Sequence, residues 1–280
     1  MPTEKLTFIG HGGHQLAARL DLPTGPHHAT ALFAHCFTCS KDIPAARRIA
    51  ARLAAMGIAV LRFDFTGLGH SEGEFENTNF SSNVADLVAA AGALTERGMA
   101  PSLLIGHSLG GAAVIRASQD LTDIKGVVTI GAPFDPAHVT HLFKDSLSTI
   151  TAKGVASVEL GGRPFRIGKQ FLDDVANGAL APALSSMDAA LLVLHGPNDR
   201  IVGIDNASQI FLAAKHPKSF ITLDDADHLI TRTEDAEYVA DVISTWSKRY
   251  VPAPIEVENP AIPEGVLRVT EVDPRAFLQD

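Results

Sequence analysis

The chain has 280 residues, 46% of them hydrophobic and 20% charged, with a formal net charge of -9. That suffices for one sizeable domain with a full core, and it is too acidic, with Lys and Arg too scattered, for a phosphate-backbone partner. No apolar run approaches a membrane span, Met1 to Lys5 does not open a signal peptide, and two cysteines, Cys36 and Cys39, exclude a disulfide framework and leave a cytoplasmic setting as the expectation.

In chain order, Lys5 to Ile9 and Gln15 to Leu22 are expected strands joined by a turn at His11-Gly12-Gly13. Thr30 to Ala34 is a buried strand. Ile43 to Met56 follows as a helix, with Ile49, Leu53 and Met56 on one stripe and Gly57 as its stop. Ile58 to Phe63 is the next strand, and Asn83 to Leu94 a helix introduced by the capping residues Ser81 and Ser82. Ser102 to Ile105 is a strand, Leu109 to Ser118 a helix, and Val127 to Ile130 a strand that stops at Gly131-Ala132-Pro133. The rhythm breaks over residues 134–187, where one hairpin (Ser157 to Ile167, turning at Gly161-Gly162) marks a cap insertion. It resumes with strand Leu191 to Leu194, helix Ile204 to Ala214, strand Phe220 to Leu223 and helix Ala236 to Tyr250. Pro252, Pro254, Pro260 and Pro263 punctuate a linker at 251–264, and Gly265 to Val272 is a strand-like piece. Eight strands alternating with helices predict a mostly parallel sheet covered on both faces.

Gly106-His107-Ser108-Leu109-Gly110 fits Gly-x-Ser-x-Gly between a buried strand and a helix. That context makes Ser108 the candidate nucleophile, since a sharp strand-to-helix turn lifts its hydroxyl over the sheet edge. The competing interpretation is an N-capping serine in a nucleotide-binding or structural turn. Gly69-His70-Ser71-Glu72-Gly73 matches the same pattern, but a polar, non-helical stretch follows it, so Ser71 is expected to be structural.

A serine hydroxyl needs an imidazole to take its proton and a carboxylate to orient that imidazole. In the α/β-hydrolase fold these follow in the order Ser, acid, His. His228, on the loop after strand Phe220 to Leu223, is the expected base, and Asp199, after the preceding strand, the expected acid. Asp135 is the rival acid, placed after the earlier strand. Of the twelve histidines, His107 is expected to pack or bond to backbone, and His138 and His141 to lie at the surface or line the entrance. The oxyanion donors are assigned by position to the backbone N–H groups of Phe37 and Leu109. Cys36-Phe37-Thr38-Cys39 also matches a Cys-x-x-Cys redox pair, although the hydrolase elements account for the same position. No metal-ligand set is visible.

His-Cys-Phe-Thr-Cys-Ser (35–40), Phe-Asp-Phe-Thr-Gly-Leu-Gly-His-Ser-Glu-Gly (63–73), Gly-His-Ser-Leu-Gly-Gly (106–111), Ile-Gly-Ala-Pro (130–133), Gly-Gly-Arg-Pro-Phe (161–165) and Asp-Ala-Asp-His-Leu (225–229) together resemble the α/β-hydrolase half of bacterial fusion proteins that carry an OsmC-like domain behind the hydrolase. The resemblance covers about residues 1–250. It implies carboxylic-ester hydrolysis without a cofactor or metal, a small-molecule ester as partner, and the triad Ser108, Asp199 and His228. It also implies that residues 265–280 open an OsmC-like domain that is truncated, the alternative being the tail of a naturally short chain. Thioesterase, amidase, perhydrolase or acyltransferase chemistry would use the same machinery, and an idle binding module is the alternative of another class.

Overall fold

The computed structural model describes residues 2–251. The expected linker and the tail at 265–280 lie outside the described residues, apart from Val251. Strands β1 (Thr3–Ile9), β2 (Gln15–Asp21), β3 (Ala29–Ala34), β4 (Ile58–Phe63), β5 (Leu103–His107), β6 (Gly126–Ile130), β9 (Ala190–His195) and β10 (Lys218–Thr222) form one sheet, in the order β1-β2-β4-β3-β5-β6-β9-β10. β2 runs antiparallel to β1 and β4, and every other neighbouring pair is parallel. This is the α/β-hydrolase fold.

The central strands β3 to β6 and β9 are buried throughout, as strands covered on both faces must be. Alternate residues feed two cores. Ala31, Phe33, Val60, Leu103 and Ile105 meet α1 (Pro44–Ala55) and α8 (Thr233–Ser247) on one face. Leu32, Leu61, Phe63 and Leu104 meet α2 (Phe80–Glu96), α3 (Leu109–Ala117) and α7 (Asp205–Ala213) on the other.

The helix boundary at α2 differs from expectation. The cap is Asn79, whose side chain accepts from the Ser82 N–H while Ser82 Oγ accepts from the Asn79 N–H. Ser81 and Ser82 are thus inside the helix, because a reciprocal capping box needs its partner three residues on.

The cap insertion holds a 3-10 stretch (Pro136–Ser146) kinked at Phe143, α4 (Leu147–Lys153), the hairpin β7 (Val155–Leu160) and β8 (Arg163–Gly168), α5 (Lys169–Val175) and α6 (Ala181–Ser186). The hairpin turns at Gly161-Gly162 as expected. Ile150, Phe143, Phe171, Val175 and Leu184 join the core on the α2 and α3 face, so the cap is packed down on the sheet rather than detached from it. Among the described residues, no helix is long and apolar enough to cross a membrane.

Candidate active site

Ser108 sits between β5 and α3 with φ 55 and ψ -126, outside the regions an L residue favours. Close packing enforces this turn. A Cβ on Gly106 would stand 2.2 Å from the Gly110 carbonyl oxygen, and one on Gly110 would stand 2.5 Å from the carbonyl oxygens of both Ala34 and His35. Bare backbone at these two positions lets the elbow press against the end of β3.

The three residues expected to act together meet. His228 Nδ1 is 2.7 Å from Asp199 Oδ2, and His228 Nε2 is 3.0 Å from Ser108 Oγ. A carboxylate can only accept, so the proton is on Nδ1, and Nε2 is left to accept from the Ser108 hydroxyl. Asp199 Oδ1 in turn accepts from the Ile201 and Val202 N–H groups at 2.8 and 2.9 Å. Burial by itself would raise the Asp199 carboxyl, but the hydrogen bonds from His228 and from the Val202 and Ile201 N–H groups outweigh it and hold the pKa below the ordinary 3.8. The acid therefore stays ionised beside its imidazole.

The remaining carboxylates have local duties. Asp135, the rival acid, accepts from the Ala137 N–H and caps the 3-10 stretch. Asp227 holds the turn after His228 by accepting from the Thr231 N–H and hydroxyl. In the second Gly-x-Ser-x-Gly match, Ser71 donates to the Asp64 carbonyl and accepts from the Ala17 N–H, which pins its loop to β2. His138 bonds the Ile201 carbonyl, tying the cap to the acid loop, and meets His141 edge to face.

Phe37 lies in the turn after β3, and its N–H has no hydrogen-bond acceptor among the described residues; Leu109 opens α3, where a first-turn N–H has no intrahelical partner. A cavity of about 10 Å³, room for about one water, lies behind this turn against Phe37, Leu109, Phe65, Phe75 and Asn83. Cys36 and Cys39 are bonded to each other, with Cα atoms 5.4 Å apart. Two cysteines cannot make a framework, yet they close this one small ring around Phe37 and Thr38.

His107 bonds to backbone as expected, and several further contributors were not expected from sequence. Arg163, from the cap hairpin, donates to the Thr38 carbonyl at 2.6 Å. The Phe37 ring packs within 5.2 Å of Phe171 and 5.6 Å of Phe75, so cap and turn share one aromatic cluster. Asp64 is fully buried and accepts from the Lys41 N–H at 2.7 Å, the Lys41 ammonium at 2.6 Å and the His70 N–H at 2.9 Å, which locks the Gly-rich loop to the chain that follows the turn after β3. His35, His107 and His195 each bond one backbone carbonyl near the site. The sequence signal for these three was their place at the ends of buried strands.

Residues 26–174 match the family described as Hydrolase_4, serine aminopeptidase, S33. This chain belongs to that family of serine hydrolases. The esterase domain of a Rhodothermus marinus protein is 47% identical to the hydrolase, over 90% of this chain and 100% of that one, with a TM-score of 0.74. Est1E from Butyrivibrio proteoclasticus, solved with ferulic acid bound, is 17% identical over 88% of this chain and 99% of its own, with a TM-score of 0.72, a likeness of fold. Protein YfhR of Salmonella typhimurium is 21% identical to the hydrolase over 229 residues, 81% of this chain and 74% of that protein.

Proposed function

We propose that the hydrolase cleaves carboxylic esters of small to medium acyl groups through a covalent acyl-serine. The observation that carries this reading is the unbroken relay Asp199–His228–Ser108, with hydrogen bonds of 2.7 and 3.0 Å. Ser108 attacks the ester carbonyl while His228 Nε2 takes its proton. The oxyanion rests on the N–H groups of Phe37 and Leu109, each worth about 10²–10³-fold in rate. His228 then protonates the leaving alcohol, and water, activated by the same imidazole, releases the acid. No step calls for a metal or an organic cofactor. The 47% identical relative described as an esterase domain favours ester over other acyl bonds.

The test is turnover of short p-nitrophenyl esters by the wild type and Ser108→Ala, together with labelling by a fluorophosphonate probe. Ser108→Ala should lose on the order of 10⁶ in kcat and all labelling at residue 108. Equal turnover by the two proteins would overturn the proposal. The family description names an aminopeptidase, which favours amide hydrolysis as the second reading; higher kcat/KM on aminoacyl p-nitroanilides than on esters would select it. The resemblance to a hydrolase fused to an OsmC-like domain is retained as part of the proposal. Its test is whether the encoding reading frame continues past residue 280 into such a domain.

A further inference from the structure

Three buried histidines stand at the carboxyl ends of sheet strands around the site. His35 is the first residue after β3, His107 the last of β5 and His195 the last of β9. We propose that they are positioning residues, each donating one ring N–H to a single backbone carbonyl and so fixing the oxyanion turn, the base loop and the acid loop respectively. This deepens the serine-hydrolase reading above and rests on it.

His35 Nδ1 lies 2.8 Å from the Cys36 carbonyl, within the turn that presents Phe37. His107 Nε2 lies 2.6 Å from the carbonyl of His228, 121 positions away in sequence. His195 Nε2 lies 2.8 Å from the carbonyl of Val202, whose N–H serves Asp199. A carbonyl cannot donate, so the proton must sit on the named nitrogen in each ring. The second nitrogen of each, His35 Nε2, His107 Nδ1 and His195 Nδ1, has no hydrogen-bond partner among the described residues. Every ring therefore has one hydrogen bond, and it goes to a loop of the site; His195 Nε2 also stands 3.7 Å from Asp199 Oδ2, on that same acid loop. Burial lowers the pKa of all three, that of His107 to about 4, so the rings stay neutral and keep the tautomer the carbonyl selects.

The His107 contact is the most consequential. The residue beside the nucleophile holds the main chain of the base, and the two imidazole centroids are 5.3 Å apart. Loss of that bond frees the His228 backbone relative to Ser108, and an error of about 1 Å between reacting groups can cost about 10²-fold in rate. A ring that merely filled space would need no particular nitrogen.

The experiment compares His107→Leu with His107→Gln, whose amide can reach the same carbonyl, and the matching pair at His195. On short p-nitrophenyl esters, His107→Leu should lose roughly 30–100-fold in kcat with KM changed less than about threefold. His107→Gln should recover most of that loss. Fluorophosphonate labelling of Ser108 should slow in step with kcat. Leu and Gln variants that behave alike, or a Leu variant with wild-type kcat and labelling rate, would overturn the proposal. A wild type that never labels at Ser108 would instead remove the serine-hydrolase reading. Amide hydrogen exchange over residues 224–231 then decides for His107: faster exchange in the Leu variant but not in the Gln variant supports positioning, and no change in the Leu variant refutes it.

Discussion

Replacing Gly110 by alanine tests how tightly the elbow is built. The added Cβ would lie 2.5 Å from two backbone oxygens, Ala34 and His35, and ordinary contact begins at 3.4 Å, so one side must retreat by ~0.9 Å. Neither neighbour is a flexible side chain. The end of β3 and the turn carrying Phe37 are forced away from the first turn of α3 that carries Leu109, which separates the two proposed oxyanion donors. Such overpacking costs about 1–3 kcal/mol, which for a domain of this size lowers Tm by roughly 3–10 °C. The displacement approaches the scale at which rates fall about 10²-fold. Gly92, exposed on α2 with nothing within 4 Å of its Cβ position, is the matched control. Gly92→Ala should gain about 0.5–1 kcal/mol and keep full activity. Thermal melts and ester kcat/KM of both variants decide the matter. Wild-type Tm and kcat/KM in Gly110→Ala would refute the close approach.

Two further outcomes are expected. Because the pKa of His107 falls from 6.5 to about 4 on folding, the unfolded chain binds more protons between those values, so stability is full above about pH 6.5 and is lost as pH falls towards 4. Between pH 7 and pH 5 that one ring accounts for about 2 kcal/mol; His107→Gln should shrink the drop in urea-unfolding free energy by that amount, and an unchanged drop would contradict the neutral, buried state. Arg163→Ala, which removes the donor to the Thr38 carbonyl from an exposed side chain, should lower kcat roughly 3–10-fold with little change in Tm; a variant as fast as wild type would mean the cap hairpin does not brace the turn.

The sheet was legible because its centre is apolar on both faces. Leu103-Leu104-Ile105 and Leu191 to Leu194 can be little other than buried strands, and Gly161-Gly162 announces the cap hairpin. The three residues proposed as the triad were legible for a related reason: Ser108 and Asp199 follow buried strands and His228 follows the half-buried β10, where the fold exposes loops at one sheet edge. What stayed hidden depends on partners distant in sequence. Nothing in the sequence marks Lys41 and Asp64 as a pair that the fold buries against each other. His107 and His195 carry no mark of which carbonyl will face them, and Arg163 reaches back 125 positions to a turn. Asn79, Ser81 and Ser82 are equally good capping residues by type, and only the register of α2 chooses Asn79.

The bond between Cys36 and Cys39 has a practical consequence for anyone who purifies the protein. Samples handled in millimolar dithiothreitol and samples handled without it will differ in a single covalent link, one residue to either side of the pair Phe37 and Thr38. Activities measured with and without reductant therefore compare two covalent forms of the turn that carries Phe37. The free-thiol content of each batch belongs beside its kinetic constants.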